Sequence, residues 1–401
     1  MESFSPKQRR LLIACCVAYT AAYICRTNLT PALAAIQADF GVSAARVGML
    51  PTLFCIPYAA GQIATGYLAD RFRARNLIWI GLMGSALMNA LFAFAPGLGV
   101  LMALWCLNGA FQSMIWTPIV RIFAVNYEDK VRARALFLIS FTMIAGYLIA
   151  WMLSGALTKG VGWRAAFGAS GAVTAIMGIF ACRALHDSDN AAQKTEKSAE
   201  QPAAMSVGGL LFKTDLIFAL LLCLFNGYVR DSIMNWAPKM LSDTQNIDLN
   251  GALGVILVIP IVNYLGILFG KRMYRVQQAN VFKTMLTMVS LEIVFSLILF
   301  ACFGAGTLVC AALLALCSAM AYGLNPLITS LTPMEYLYTG RVALVAGLLD
   351  ATIYLGSAFS GTFVGFLRDH LGWGAVFASW AVFSTFSALA ILPKVIRKKT
   401  Q

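Results

Sequence analysis

Long apolar runs separated by short polar loops recur along the whole chain. A bilayer core about 30 Å thick is crossed by roughly 20 residues of α-helix, and twelve runs approach or exceed that length. The pattern predicts an all-α integral membrane protein with twelve transmembrane helices. The expected spans are 11–36, 44–69, 76–95, 98–125, 133–157, 163–185, 214–241, 250–273, 279–303, 306–329, 341–366 and 372–392.

One polar stretch interrupts this series between the sixth and seventh runs. Residues 186–206 contain no long apolar run, as expected of a flexible linker. We therefore expect an N-terminal six-helix half over 1–185, a cytoplasmic linker over 186–210 and a C-terminal six-helix half over 211–401.

The two halves repeat each other in sequence. Gly-Trp-Arg-Ala-Ala-Phe at 162–167, before the sixth run, is matched by Gly-Trp-Gly-Ala-Val-Phe at 372–377, before the twelfth. Parallel six-helix repeats are typical of secondary transporters in which one repeat rocks against the other. Glycines of helices five and eleven are expected to permit the close helix packing that rocking requires. These glycines are Gly146, Gly155, Gly347, Gly356, Gly361 and Gly365.

Composition supports a membrane protein. Of 401 residues, 60% are hydrophobic and 12% charged, and the mean hydropathy is +0.77; a soluble fold could not bury so much apolar surface. The net charge of +13 does not indicate a nucleic-acid partner, because the basic residues collect in short loops. By the positive-inside rule we expect both termini in the cytoplasm. As a separate expectation, the protein is assigned to a bacterial inner membrane. The residues that set this orientation are Lys7, Arg9, Arg10, Arg71, Arg73, Arg75, Lys130, Arg132, Arg134, Lys271, Arg272, Arg275, Lys394, Arg397, Lys398 and Lys399.

The sequence does not predict an enzyme. Its ten cysteines lie mostly in apolar runs, without metal-ligand or paired spacing, and are interpreted as small buried side chains. No nucleotide-binding loop, catalytic dyad or metal cluster is visible, so no cofactor and no catalytic residue is expected. Transport would then use the gradient of a coupling ion or counter-anion (H⁺ or phosphate), and we expect a monomer in the lipid bilayer.

Two arginines lie near the middle of apolar runs, Arg26 in the first run and Arg230 in the seventh. A charged side chain at the bilayer centre costs at least about 2.5–3.5 kcal/mol, so each arginine is expected to face a cavity or a partner. Their matching positions in the two halves predict a site for a small anion that bridges both guanidinium groups. Neutralising two mutually repelling charges would draw the halves together and give alternating access a physical cause.

Each arginine has an alternative role in a structural ion pair with Asp350 or Asp231. Asp231 is the poorer candidate, because neighbours in sequence point to different faces of a helix. Asp350, in the eleventh run, has three interpretations: a proton site that couples transport, a salt-bridge partner for an arginine in the empty protein, or a polar group facing Ser or Thr. Glu292 in the ninth run is interpreted as an interhelical polar contact.

The loop after the second run carries a family motif. The stretch Gly-Tyr-Leu-Ala-Asp-Arg-Phe-Arg-Ala-Arg at 66–75 resembles the signature loop of the major facilitator superfamily. In that loop, Asp70 and Arg71 are expected to form a structural clasp of the cytoplasmic gate and not to bind substrate.

Within that superfamily the chain resembles, over essentially its whole length, the organophosphate:phosphate antiporter family, which includes glycerol-3-phosphate and hexose-phosphate transporters. The match rests on Tyr19, Tyr23 and Arg26 of helix one, on residues 108–118 of helix four, and on Arg230, Trp236 and Pro238 of helix seven. Spacings of four and three residues place the helix-one side chains on one face, where they can converge on one ligand.

The resemblance also implies further substrate-binding residues in other helices. Gln112 and Trp116 belong to the helix-four segment, with packing as their alternative role, and Gln62 stands where the family has a lysine. An apolar stretch near Thr142 and Met143 replaces a histidine of some members, so the pocket is less cationic than the family pattern. Pocket tyrosines of the family are matched by Tyr58, Tyr322 and Tyr354.

The predicted function is secondary active transport of a small organic anion, a phosphorylated or similarly anionic metabolite, with exchange for phosphate as one mode. The less cationic pocket keeps a proton-coupled carboxylate symporter as an alternative, since a phosphoryl group carries more charge than a carboxylate. Helix one also resembles anion:cation symporters of sugar acids, although Cys25 and Gln112 stand where those proteins have acidic residues. A transport-like sensor that binds an anion is the third hypothesis.

Overall fold

The computed structural model describes residues 4–42, 44–69, 71–186, 206–245, 247 and 258–397. These residues form thirteen α-helices and contain no β-strand. The helices are α1 (Pro6–Thr27), α2 (Leu29–Phe40), α3 (Ala44–Ala69), α4 (Ala74–Ala93), α5 (Leu98–Asn126), α6 (Asp129–Gly160), α7 (Trp163–Ala184), α8 (Val207–Lys213), α9 (Leu216–Gln245), α10 (Ile259–Val276), α11 (Val281–Cys302), α12 (Thr307–Pro326) and α13 (Val342–Arg397). A π-helical turn (Leu327–Leu331) and a 3-10 segment (Thr332–Thr339) connect α12 to α13.

Eleven segments of the described chain are long and apolar enough to cross a membrane. In addition, α10 lies at the position of the eighth expected span, whose first residues are outside the described part. The all-α membrane architecture expected from the apolar runs is confirmed. The last two expected spans share α13, which changes direction at Gly372, where φ is +79°.

The first expected span is divided into α1 and α2 at Asn28. Pro31 explains the break, because its ring nitrogen carries no N–H and the ring crowds the carbonyl four residues earlier. Neighbouring helices bind two polar groups at the break: Asn28 Nδ2 donates to Asn89 Oδ1 at 2.9 Å, and Ser154 Oγ donates to Asn28 O at 2.7 Å. The break leaves Arg26 in the last turn of α1, where the helix dipole favours a positive charge.

The chain groups into two compact units. Unit 1 comprises Met1–Met205 with Pro333–Ala351, and unit 2 comprises Ser206–Thr332 with Thr352–Gln401. The beginning of α13 therefore packs on N-terminal helices: a β-carbon added to Gly347 would lie 2.3 Å from Gln62 O. The expected division into two halves with a linker over 186–210 stays a prediction, and residues 187–205 of that linker lie outside the described residues.

Three of the six glycines expected at close helix contacts lie at such contacts. At Gly146 and Gly356, an added β-carbon would stand 2.4 Å from Tyr23 Cβ and 2.0 Å from Leu224 O, respectively. With Gly347 above, these positions leave no room for a side chain. The expectation of close packing is wrong for the other three, which make ordinary contacts or none within 4 Å: Gly155, Gly361 and Gly365.

The motif repeated before the sixth and twelfth expected spans has the same structural role in both units. In unit 1, Trp163 Nε1 donates to Asp39 Oδ2 at 3.1 Å, and the arginine that follows the tryptophan pairs with the same carboxylate. In unit 2, Trp373 Nε1 donates to Asp243 Oδ2 at 3.2 Å. The second copy has glycine after its tryptophan, and Arg368 supplies the guanidinium instead, with Nε 3.0 Å from Asp243 Oδ2. The repeat thus preserves one indole–carboxylate contact per unit.

The substitution Gly356→Ala is expected to destabilise the protein by about 1–3 kcal/mol through overpacking, because its β-carbon would overlap Leu224 O. Gly361→Ala on the same helix is the matched control, since nothing lies within 4 Å of its added β-carbon. The measurement is the melting temperature of both purified variants in the same detergent. Equal melting temperatures would contradict the close-packing constraint.

Candidate anion-binding site

Arg26 is half-buried in unit 1 and is surrounded by one amide and three aromatic rings. Its Nε donates to Gln112 Oε1 at 3.0 Å. The guanidinium carbon lies 4.4 Å from the ring centroid of Tyr58 and 5.1 Å from those of Tyr23 and Phe54. A cation over aromatic faces is stabilised by their quadrupoles, and more so where water is excluded. Three of these partners were predicted from the sequence, and Phe54 was not.

A polar network fixes the orientation of the Gln112 amide. Its Nε2 donates to Ala22 O and to Ser85 Oγ, both at 3.0 Å. Ser85 Oγ donates in turn to Asn108 Oδ1 at 2.6 Å, and Asn108 Nδ2 donates to Cys25 O at 2.9 Å. Because both amide hydrogens are used, the carbonyl oxygen is directed to the arginine. Sequence reasoning did not assign these supporting residues a role, although a buried serine and asparagine within apolar runs were a signal.

Asp350 belongs to the same unit and is almost fully buried, with 7% of its surface exposed. Its Oδ2 accepts a hydrogen bond from Tyr58 Oη at 3.0 Å and from Gln62 Nε2 at 2.7 Å. Tyr58 therefore joins the arginine to the carboxylate, with its ring against one and its hydroxyl on the other. Two of its donors are thus a phenol and an amide, and the three interpretations of Asp350 stay predictions.

The other residues predicted in the first and fourth expected spans, which are α1 and α5 of the structure, adjoin this cluster. Tyr19 and Tyr23 have hydroxyl oxygens 3.4 Å apart, as expected for side chains on one helical face. The ring of Tyr19 lies 4.7 Å from that of Trp116, centroid to centroid. The indole N–H of Trp116 is buried and has no hydrogen-bond partner among the described residues. Tyr147, which was not predicted, adds a ring 5.4 Å from Tyr23.

Arg230 forms a second cluster in unit 2, where only 8% of its surface is exposed. Its Nε and one terminal nitrogen donate to the two oxygens of Asp231 at 2.8 and 3.0 Å, and the other terminal nitrogen donates to Asn325 Oδ1 at 3.2 Å. The rings of Tyr322 and Tyr354 lie 5.7 and 6.0 Å from the guanidinium carbon. Both tyrosines were predicted, and Asn325 was not.

The expectation that Asp231 is a poor partner for Arg230 is wrong. Adjacent Cβ atoms do point to different helix faces, but the long arginine side chain folds back far enough to place both nitrogens on the neighbouring carboxylate. Such two-point contacts between guanidinium and carboxylate are stronger than single hydrogen bonds. Within the described residues, each arginine cluster therefore contains a carboxylate: Asp350 in the first and Asp231 in the second.

Other predicted residues lie outside these clusters. Asp70 is outside the described residues, and Arg71 is exposed just after α3, so the gate clasp stays a prediction. Arg121 donates to Ala69 O and Phe72 O and so covers the end of that helix. Glu292 is buried in α11 and makes none of the hydrogen bonds described for either arginine.

Comparison with known proteins identifies the family. The protein-family model of the Major Facilitator Superfamily matches residues 15–340. The chain belongs to that superfamily. The solved structure of the E. coli fucose:proton symporter FucP aligns with 95% of this chain and 97% of its own, with a TM-score of 0.74 and 16% sequence identity. At that identity the likeness shows the fold alone.

Curated relatives confirm the resemblance to organophosphate transporters. The membrane sensor protein UhpC of Escherichia coli is 26% identical over 277 residues, which cover 65% of this chain and 63% of UhpC. A probable hexose phosphate transport protein of Chlamydia trachomatis is 25% identical over 178 residues, covering 44% of this chain and 39% of the relative. The chain thus spans less than two thirds of the length of these relatives.

Proposed function

We propose that this member of the superfamily is a secondary active transporter that carries a small organic anion across the membrane by alternating access. The observation that carries the proposal is that each unit holds a shielded arginine among tyrosine rings and an amide. Guanidinium groups recognise carboxylate and phosphate through two parallel hydrogen bonds, and the rings would exclude water around the ligand. We place the protein in a bacterial inner membrane, with both termini cytoplasmic, as a monomer.

The acidic side chain in each arginine cluster affects how an anion would bind to that arginine. At Arg230, all three guanidinium nitrogens already donate hydrogen bonds, two of them to Asp231. An incoming anion would have to take over part of these contacts, which exchanges one negative partner for another. At Arg26, the Tyr58 ring lies against the guanidinium and its hydroxyl donates to the carboxylate of Asp350, so an anion that binds there would meet an acid of the same cluster.

Asp350 is the proposed coupling residue. It is buried and holds the hydrogen bonds of Tyr58 and Gln62, two side chains that we also assign to the substrate. A substrate that recruits these donors would leave the carboxylate with fewer hydrogen bonds, and the loss of hydrogen bonds that stabilise the charged form favours proton uptake. Substrate binding and proton uptake would then be linked. A ligand that binds one conformation better than the other shifts the population between them.

The substrate class follows from weighing two observations. The relative named as a hexose phosphate transport protein, together with the helix-four segment, supports a phosphorylated metabolite with phosphate as a counter-anion. The carboxylate in each cluster favours anions of lower charge, such as a carboxylate carried with a proton. We favour the phosphorylated or similarly anionic metabolite and keep carboxylate symport as the second candidate. The third, an anion sensor, is supported by the relative named as a membrane sensor.

Arg26→Ala and Arg230→Ala are each expected to weaken anion binding by at least about tenfold, because losing one partner of a desolvated charged contact typically costs about 2–5 kcal/mol. Binding is measured by thermal stabilisation of the purified protein with organophosphates and carboxylates. Arginine-to-lysine variants should restore little binding, because lysine lacks the planar fork.

Two further variants make that test specific. Arg230→Ala leaves the Asp231 carboxylate without its ion-pair partner. The double variant Arg230→Ala with Asp231→Ala removes both charges, so comparing it with the single variant separates loss of binding from loss of folding. Arg272→Ala, which removes an exposed arginine of α10, is the control. If Arg26→Ala and Arg230→Ala both bind the anion with wild-type affinity, the proposed site is wrong.

Asp350→Asn is expected to abolish uptake driven by a pH gradient and to preserve substrate exchange between equally loaded compartments in proteoliposomes. Asparagine retains a side-chain oxygen that can accept from Tyr58 and Gln62, so the hydrogen bonds can persist while the titrating group is lost. Asp243→Asn, in the indole–carboxylate contact of unit 2, is the control. Unchanged pH-driven accumulation would exclude the coupling role, and loss of both activities would favour a salt bridge in the empty protein.

Phosphate counterflow distinguishes the three functions. External organophosphate should accelerate the loss of preloaded labelled phosphate from proteoliposomes, because both ligands would compete for the same arginines. If phosphate counterflow is no faster than in protein-free liposomes and a sugar acid is taken up robustly with protons, carboxylate symport becomes the favoured function over organophosphate exchange. Saturable ligand binding without accumulation or exchange of any bound solute would favour the sensor.

A further inference from the structure

A groove of about 560 Å³ lies in unit 1, between the start of α1 and the end of α7. Its floor is apolar and includes Ile13, Ala14, Phe180 and Ala184. Ile13 and Phe180 are 53% and 65% exposed, respectively. Two arginines of the first helix, Arg9 and Arg10, line the same groove, and both are exposed. Among the described residues that line it, none is acidic.

The chain that carries the two arginines is held in place by local contacts. Ser5 caps α1: its Oγ accepts from Gln8 N at 3.2 Å, and its own N–H donates to Gln8 Oε1 at 3.1 Å. Phe4, which also lines the groove, lies 6.2 Å from the ring of Tyr127, and its ring centroid is 5.1 Å from the guanidinium carbon of Arg134. The backbone at the basic end of the groove is therefore ordered before a ligand binds, which lowers the ordering cost of binding.

We propose that this groove binds one anionic phospholipid from the leaflet that meets the start of α1. The lipid phosphate would accept hydrogen bonds from Arg9 and Arg10, and an acyl chain would cover the exposed side chains of Ile13 and Phe180. Basic pockets between transmembrane helices suit lipid headgroups in this way. A water-soluble anion would satisfy the arginines but leave the apolar floor uncovered, so the combination of charge and apolar surface selects a lipid.

The test compares two lipids with identical acyl chains, phosphatidylglycerol and phosphatidylcholine, titrated into the delipidated full-length protein and followed by native mass spectrometry. Wild-type protein should retain one phosphatidylglycerol with at least tenfold preference over phosphatidylcholine. Arg9→Gln combined with Arg10→Gln should remove that preference. The matched control, Arg272→Gln with Arg275→Gln, removes two exposed arginines of α10 and should keep it.

A second variant tests the apolar part of the groove. Ala184→Trp fills the floor without changing charge and should weaken retention of both lipids; its melting temperature and that of the arginine variants verify folding. Equal phosphatidylglycerol retention by the Arg9/Arg10 variant and the control would overturn the proposal. Displacement of the lipid by glycerophosphoglycerol, which has the headgroup without acyl chains, at the same concentration as intact phosphatidylglycerol would also overturn it in favour of a soluble anion.

Discussion

The compensation of buried positive charge is the constraint on which both candidate clusters depend. An arginine in an apolar helix bundle loses its hydration, and the loss is tolerated only where acceptors or aromatic faces replace the water. Around Arg26 the replacement includes one amide oxygen and three rings, and around Arg230 it includes a carboxylate, an amide and two rings. The polar side chains behind Gln112 then serve to direct its oxygen, so the network extends over several helices of unit 1.

The two clusters differ in the groups that contact the arginine. A directly bonded carboxylate neutralises Arg230 most fully, and an anion that binds there must compete with two hydrogen bonds at 2.8 and 3.0 Å. At Arg26, the rings of Tyr23, Phe54 and Tyr58 stabilise the cation through their quadrupoles, in addition to the hydrogen bond to Gln112. The two arginines thus have different aromatic and polar surroundings, although their sequence positions match.

Features set by periodicity could be predicted from the sequence, and features set by side-chain reach could not. The apolar runs gave the helices, and spacings of four and three residues gave the shared face of Tyr19 and Tyr23, whose hydroxyl groups lie 3.4 Å apart. The division of the first span needed the local effect of Pro31, which a window of average hydropathy does not register. The pairing with Asp231 was missed because helical spacing describes where Cβ atoms point, whereas a long flexible side chain can return to its neighbour. The chain of hydrogen bonds from Gln112 through Ser85 to Asn108 joins residues of several helices, so no single segment of the sequence shows a pattern that predicts it.

Helix α13 gives the two clusters a covalent connection. Asp350 near its start accepts hydrogen bonds in the cluster of Arg26, and Tyr354, one turn later, places its ring near Arg230. Successive turns of an α-helix are joined by hydrogen bonds between residues four apart, and Asp350 and Tyr354 are separated by that spacing. One turn of α13 therefore contributes an acid to the first cluster and an aromatic ring to the second, so in the proposed mechanism this turn belongs to both sites.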